Sequence, residues 1–228
     1  GTLPVELYQQ TTLEELDLGF TLIEGTLSTL IGNLRDLLRL DLEAREDSVA
    51  TARPTMRGPI PIELGQLSWL QILNLGNHQY EGTIPTEFAM MSSLWSLKLN
   101  GNNITGTIPA QLASIQSLKE FWVDRNQLTG TIPSDLGLLS SLETLRFKSN
   151  FLSGNVVLEI CQLRSINLTE LVVDDCIAAT TTTISPVVCS CCTNVCVGGV
   201  GASDGNVSVV NSTSAVDSST YLRSKRKP

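Results

Sequence analysis

Leu118-Lys119-Glu120-Phe121-Trp122-Val123-Asp124-Arg125-Asn126-Gln127-Leu128-Thr129-Gly130-Thr131-Ile132-Pro133 is the stretch that decides the fold. Phe121 and Val123 alternate with polar neighbours at a period of two, the pattern of a strand with one buried face. Asn126 follows where the strand must end. Its amide can bend the chain and satisfy the backbone groups that the bend leaves unpaired. Gly130 permits backbone torsions or close approach that a side chain forbids. Pro133 then fixes φ in a segment that donates no ladder bond.

The pattern recurs along the chain. Gly-x-Ile-Pro appears at Gly58, Gly82, Gly106 and Gly130, each 24 residues after the last, with weaker copies at Gly1, Gly25 and Gly154. Only Gly25 to Gly58 is longer, by nine residues that fall within 45–57 and are expected to form a loop off the main body. Twelve residues after each of the first six glycines the leucine phrase begins, at Leu13, Leu37, Leu70, Leu94, Leu118 and Leu142. The seventh begins at Leu168, two residues late. One such turn cannot bury its own leucines, so the copies must stack, with their strands parallel and ~4.8 Å apart. Asn stands at the bend only in the copies with Asn102, Asn126 and Asn150. The others carry Thr21, Arg45, His78 and Cys176, so a continuous Asn ladder is expected only from Asn102 to Asn150.

The phrase Leu128-Thr129-Gly130-Thr131-Ile132-Pro133 resembles the plant-type leucine-rich repeat, and the resemblance covers roughly residues 1–176. It implies an α/β repeat solenoid: a right-handed superhelix with a concave parallel β-sheet and short helical or 3-10 turns on the convex side. Seven repeats of about 24 residues would fill 1–176, a Cys-rich cap 177–196, and a disordered Ser/Gly/Thr/Val tail 197–228. The Cys-dense end, Leu171-Val172-Val173-Asp174-Asp175-Cys176 followed by Cys189-Ser190-Cys191-Cys192, resembles the ends of secreted or membrane-anchored diatom leucine-rich-repeat proteins.

Cys161, Cys176, Cys189, Cys191, Cys192 and Cys196 all fall in the last third, where an exposed solenoid end needs covering. Their even number suggests disulfides in an oxidising compartment, with the pairing left open. A zinc site over 189–196 is the rival, and it lacks the usual Cys-x-x-Cys turn. Sequons at Asn103, Asn167, Asn206 and Asn211 agree with secretion. Asn103 is the informative one, because Asn102 and Ile104 on either side should point inward. The basic tip Arg223–Pro228 reads as solvated rather than as a nuclear signal. The chain starts inside a repeat and without Met, so it is read as a fragment or processed chain. An extracellular or cell-surface parent is expected, with membrane attachment only through an anchor outside this sequence.

Ten acids against three arginines in residues 1–50 hold −7 of the net −8, and such a face repels nucleic acid. The single histidine, His78, sits at a bend position and reads as a turn residue. No phosphate loop, metal-spaced set or Ser-His-Asp set is present, so no catalytic residue, metal or cofactor is assigned.

Alternation gives the outward residues of the concave sheet, whose middle column reads Asp17, Asp41, Asn74, Lys98, Trp122, Arg146 and Val172. An acidic half thus gives way to a basic-aromatic patch. Lys98, Asn100, Glu120, Trp122, Asp124, Arg146 and Lys148 are the candidate ligand-binding residues, with Trp122 as anchor. The rival reading is that Arg146 stacks on Trp122 merely to cover it. Trp69 and Trp95 read as structural. The function expected is a recognition module, a receptor-like or adhesion ectodomain binding a peptide, protein or glycan. The alternatives are an inhibitor of cell-wall polysaccharide hydrolases and, from the threonines Thr83, Thr105, Thr107, Thr129 and Thr131, an ice-binding protein.

Overall fold

The computed structural model describes residues 1–45, 55–156, 158–163, 167–173, 188–189 and 208–210. Each turn of the coil supplies one three-residue strand: Glu15–Asp17, Arg39–Asp41, Ile72–Asn74, Ser96–Lys98, Glu120–Trp122, Thr144–Arg146 and Glu170–Val172. These seven pair in parallel, one after the next, in a single sheet. Leu16, Leu40, Leu73, Leu97, Phe121, Leu145 and Leu171 stand in register beneath it. An eighth strand, Ser208–Val210, joins the far edge antiparallel to Glu170–Val172. Val188–Cys189 pairs in parallel with Asn155–Val156.

Opposite the sheet run short 3-10 helices: Val5–Gln9, Thr29–Asn33, Ile62–Gln66, Thr86–Met90, Ala110–Ser114 and Ser134–Leu138. Five of the six start directly after a proline (Pro4, Pro61, Pro85, Pro109, Pro133), whose φ suits the extended residue before a helix. The sixth has Ser28 there instead, and its Oγ accepts from the Leu30 N–H at 3.2 Å. The seventh turn substitutes an α-helix, Leu158–Leu163.

Between sheet and helices lies one continuous core of Leu, Ile and Phe, with Phe121 and Phe147 edge to face at 6.3 Å. Each fully buried Leu contributes ~1.5–3 kcal/mol by leaving water. Because its neighbours lie in the turns above and below, that contribution exists only in the stack.

Asn102, Asn126 and Asn150 form the expected ladder. Asn126 is typical: its Oδ1 accepts from Ile104 N at 3.0 Å, and its Nδ2 donates to Leu99 O at 2.9 Å and Val123 O at 3.0 Å. One amide thereby ties three backbone groups across two turns. His78 extends the ladder by different chemistry. Its Nδ1 accepts from Met56 N at 3.2 Å while its Nε2 faces the Leu42 carbonyl, which fixes the tautomer with the proton on Nε2. Met56, fully buried, holds the core position taken by Tyr80 and Ile104 in later turns, so His78 pins the point where the chain rejoins the coil after the insertion.

On the flank the Thr-Gly-Thr phrase has a packing reason. Gly106 lies at φ +77°, and a Cβ there would come within 2.8 Å of the Thr83 methyl of the preceding turn; Gly130 stands likewise against Thr107 at 2.9 Å. The threonine before each of these glycines donates back one turn, Thr105 Oγ1 to Gly82 O at 3.0 Å and Thr129 Oγ1 to Gly106 O at 3.2 Å.

Trp69 differs from the sequence expectation. It is 65% exposed, because its position lies on the turn between helix and strand, one residue short of the buried Leu70. Trp95 is half-buried. Most of the insertion, the cap and tail apart from the two short strands, and the side chains of all six cysteines lie outside the described residues.

Burial lowers the pKa of the His78 imidazole, against the opposing effect of the Leu42 carbonyl. A depressed folded pKa contributes stability that is present above the unfolded value of 6.5 and is lost as pH falls toward the folded one. The midpoint of urea unfolding should therefore drop with acidification below pH 6.5 more steeply in the parent than in His78→Asn. His78→Ala should lose about 1–3 kcal/mol for each of the two backbone groups it strands. Gly106→Ala should also destabilise, with part of the loss recovered in Gly106→Ala/Thr83→Ser, which removes the clashing methyl.

Candidate recognition surface

The concave sheet changes character halfway along, and the change starts in the middle column. Asp17, Asp41 and Asn74 each turn back on their own strand end. Their Oδ1 atoms accept from Gly19 N at 3.0 Å, Glu43 N at 3.2 Å and Gly76 N at 3.2 Å. Arg39 closes the first two rungs by bridging Asp41 Oδ2 at 2.7 Å and Asp17 Oδ2 at 3.3 Å. The acidic half is thus largely satisfied within itself.

From the fourth rung the column is Lys98, Trp122, Arg146, none of which can accept a backbone N–H. They stack on one another instead. Lys98 Nζ lies 4.0 Å and Arg146 Cζ 3.9 Å from the Trp122 ring centroid, reaching it from the strands on either side. Such contacts are worth ~0.5–2 kcal/mol each, more as water is excluded. Trp122 Nε1 donates to Thr144 Oγ1 at 2.9 Å, which fixes the plane of the ring.

Each cation is also held by a carboxylate, Lys98 by Glu120 from the strand of Trp122 itself and Arg146 by Glu170 from the strand beyond. Glu120 Oε2 takes Lys98 Nζ at 2.9 Å and Ser96 Oγ at 2.7 Å, and Glu170 Oε1 takes Arg146 Nη2 at 2.9 Å. Burial raises the Glu120 pKa, but the hydrogen bonds from Lys98 and Ser96 outweigh it and hold the carboxyl below the usual range. The two chains of contact, Ser96–Glu120–Lys98 and Arg146–Glu170, tie the patch together across its rungs.

Of the sequence candidates, Lys98, Glu120, Trp122, Asp124, Arg146 and Lys148 are half-buried on this face. Asn100 is not available: it is 5% exposed, its amide folded over Gly76, where a Cβ would lie 3.1 Å from its Oδ1. Ser96, Asn74 and Asp41 are buried too, although alternation points them outward. Their side chains are short, and the long ones of neighbouring rungs close over them.

A second feature was not legible in the sequence. Arg125, in the left-handed conformation at φ 56°, reaches back two turns to Asn77 Oδ1 at 3.4 Å and sets its Nε 3.3 Å from Asp124 Oδ2. Between them lies Gly101, where a Cβ would sit 2.4 Å from Asn77 Oδ1. Asn77 Nδ2 donates to Glu43 Oε1 at 3.1 Å, and Asn74 Nδ2 to Glu43 Oε2 at 3.1 Å. A polar strap thus borders the patch along the strand ends from the second turn to the fifth. At its end Asp124 Oδ1 is enclosed without a hydrogen-bond partner among the described residues, and burial raises this carboxyl's pKa despite Arg146 nearby. Among the described residues, no helix is long and apolar enough to cross a membrane, and no group of three or more His, Cys, Asp or Glu is placed to hold a metal.

The family model described as Leucine Rich Repeat matches residues 93–115 and 117–139. No curated protein matches the chain. Among solved structures, the plant peptide hormone receptor RGFR1 in complex with RGF2 is 34% identical at TM-score 0.68, over 75% of this chain and 26% of that one. The Arabidopsis receptor kinase HAESA ectodomain, in complex with an extended IDA peptide hormone, is 32% identical at TM-score 0.66, over 75% and 27%. The chain therefore spans about a quarter of the length of these receptors. A plant ice-binding protein shares the fold at 24% identity and TM-score 0.58, over 74% and 59%.

The raised carboxyl of Asp124 gives a pH-dependent outcome. A folded pKa above the unfolded 3.8 favours the protonated form in the fold, so its contribution is present below pH 3.8 and lost as pH rises through the folded value. At neutral pH the ionised carboxylate is a cost. Asp124→Asn should therefore raise the thermal midpoint at pH 7, and the gain over the parent should vanish as the pH is brought to 3.8 and below. A gain that is the same at both pH values would assign it to something other than charge.

Proposed function

We propose that this chain, whose repeats match the leucine-rich-repeat model and whose solenoid is similar to those of plant receptors, is a recognition module binding a peptide or protein segment on its concave sheet. The observation that carries the reading is the Lys98–Trp122–Arg146 stack. It is a preorganised cationic-aromatic ridge on an open sheet face, bordered by the Glu43–Asn77–Arg125 strap. Trp and Arg are the residues most often found to dominate interface energetics.

The stack also narrows the ligand. Both faces of the Trp122 ring are occupied by cations, so a sugar has no free ring face to lie on. What the ridge offers is the ring edge and two anchored positive groups, which suit a peptide presenting a carboxylate beside an apolar side chain. The similar receptors are solved with peptide hormones, in agreement with that class. An extracellular or cell-surface setting belongs to the same reading, since both neighbours are plant receptors. The flank threonines need no ice to account for them: their methyls pack on glycines and the Thr105 and Thr129 hydroxyls are bonded within the coil.

The test is a screen of secreted peptides against the folded chain, followed by affinities of variants at two salt concentrations. Trp122→Ala should cost most, ~2 kcal/mol or about thirtyfold in affinity, because it removes the ring and leaves each cation held only by its carboxylate. Lys98→Ala and Arg146→Ala should cost less, with the loss shrinking at high salt. All three should keep the circular dichroism of the parent, as none contributes to the leucine core. An unchanged affinity for Trp122→Ala would move the site off the concave sheet.

A further inference from the structure

Four sequons remain outside the function just described. Two, at Asn206 and Asn211, lie outside the described residues, which leaves Asn103 and Asn167. The structure sets these two apart.

Asn103 opens the flank strand Asn103–Thr105, which pairs in parallel with Gln79–Thr83. Its neighbours Asn102 and Ile104 are 6% and 0% exposed, one in the Asn ladder and one in the core. Alternation therefore turns Asn103 outward, and it is exposed. Its amide takes part in no hydrogen bond among the described residues. Across the ladder stands exposed Glu81, and the same repeat position in the adjoining turns holds Gln79 and Gln127, also exposed. The surroundings are hydrophilic and open on both sides. Thr105, which completes the sequon, has its hydroxyl on the Gly82 carbonyl at 3.0 Å, so the strand keeps its shape whatever Asn103 carries.

Asn167 is built differently. Its Nδ2 donates to Ser140 O at 2.8 Å and its backbone N–H to Leu163 O at 3.0 Å. The nitrogen that would carry a sugar is there used to tie two turns together.

We propose that Asn103 is an N-glycosylation site, carrying its glycan on the flank and leaving the concave ridge open. The reading rests on the extracellular setting proposed above. In the transfer, Asn103 Nδ2 forms a bond to the anomeric carbon of a lipid-pyrophosphate-linked oligosaccharide. The sugar–phosphate bond breaks, the lipid pyrophosphate leaves, and Nδ2 gives up one proton. Nothing on the concave face has to move, because the strand end that bears Lys98 and the flank strand that bears Asn103 lie on different sides of the Asn102 ladder bonds. The flank strand is hydrogen-bonded on both sides, to Gln79–Thr83 and through Gln127 N to Ile104 O at 2.8 Å, so the glycan would project from a closed stretch of backbone.

The test supplies a secretion leader to the full chain in eukaryotic cells, so that site competence is read independently of the natural destination. Peptide-N-glycosidase treatment in heavy-oxygen water, followed by peptide mass spectrometry, should mark Asn103 as converted to Asp in most of the secreted protein. Asn103→Gln and Thr105→Val should each remove that mark, and Thr105→Ser, which keeps both sequon and hydroxyl, should retain it. Secreted, folded protein with Asn103 unmodified overturns the proposal. That failure is separable from failure of the recognition reading, which is decided by the affinity of Trp122→Ala for its peptide and is unaffected by the state of Asn103.

Discussion

A turn of this chain has an apolar side and nothing of its own to cover it. Leu97 and Leu99 are completely buried, yet the atoms that bury them come from the turns on either side and from the 3-10 helices across the core. Backbone polarity poses the same problem, since a three-residue strand pairs entirely with strands one turn away. Stacking is thus a single requirement that serves hydrocarbon and amide groups together. The period of 24 residues persists because every turn must present the same template to the next.

Three devices hold the template in register, and each acts between turns. The Asn ladder binds the strand end of one turn to the backbone of its predecessor. The flank glycines admit the threonine methyl of the turn before. The sheet hydrogen bonds connect the strands directly. His78 shows how much chemistry the ladder position tolerates: an imidazole with a fixed tautomer meets one donor and one acceptor where an amide would meet three. The substitution stands where the chain rejoins the coil after nine extra residues, and its reach to both Met56 and Leu42 spans that irregular junction.

The periodicity made the solenoid, the strand positions, the inward leucines and the Asn102–Asn150 ladder legible in the sequence, because each follows from where a Cβ points. The middle column, too, was readable down to the change from acids to cations at Lys98. What could not be read is how high neighbouring side chains stand. Asn100 points outward by alternation and is buried all the same, since Gly76 beside it leaves a hollow into which its amide folds. That Trp122 stands on the outward side of the sheet was legible, but not that both its neighbours would lie on its faces and leave it half-buried, which depends on side-chain length across two rungs. The Arg125–Asn77 contact spans 48 residues and depends on a left-handed backbone at both ends. No local pattern announces that.

The same constraint that builds the fold also decides where it can carry function. Substitution at the leucines, the ladder or the flank glycines disturbs two interfaces at once, so those positions are held by packing. The outward columns of the sheet touch only one another, and there the sequence is free to vary from rung to rung. In the first three rungs that freedom has produced carboxylates and an amide that close on their own backbone. In the next three it has produced a ridge whose groups cannot do so, and which are held instead by Glu120, Glu170 and Thr144. A cation held both by a carboxylate and by an aromatic ring has already given up much of its side-chain freedom. A ligand of the proposed kind would therefore meet little further ordering cost there, and this separates the ridge from a merely charged surface.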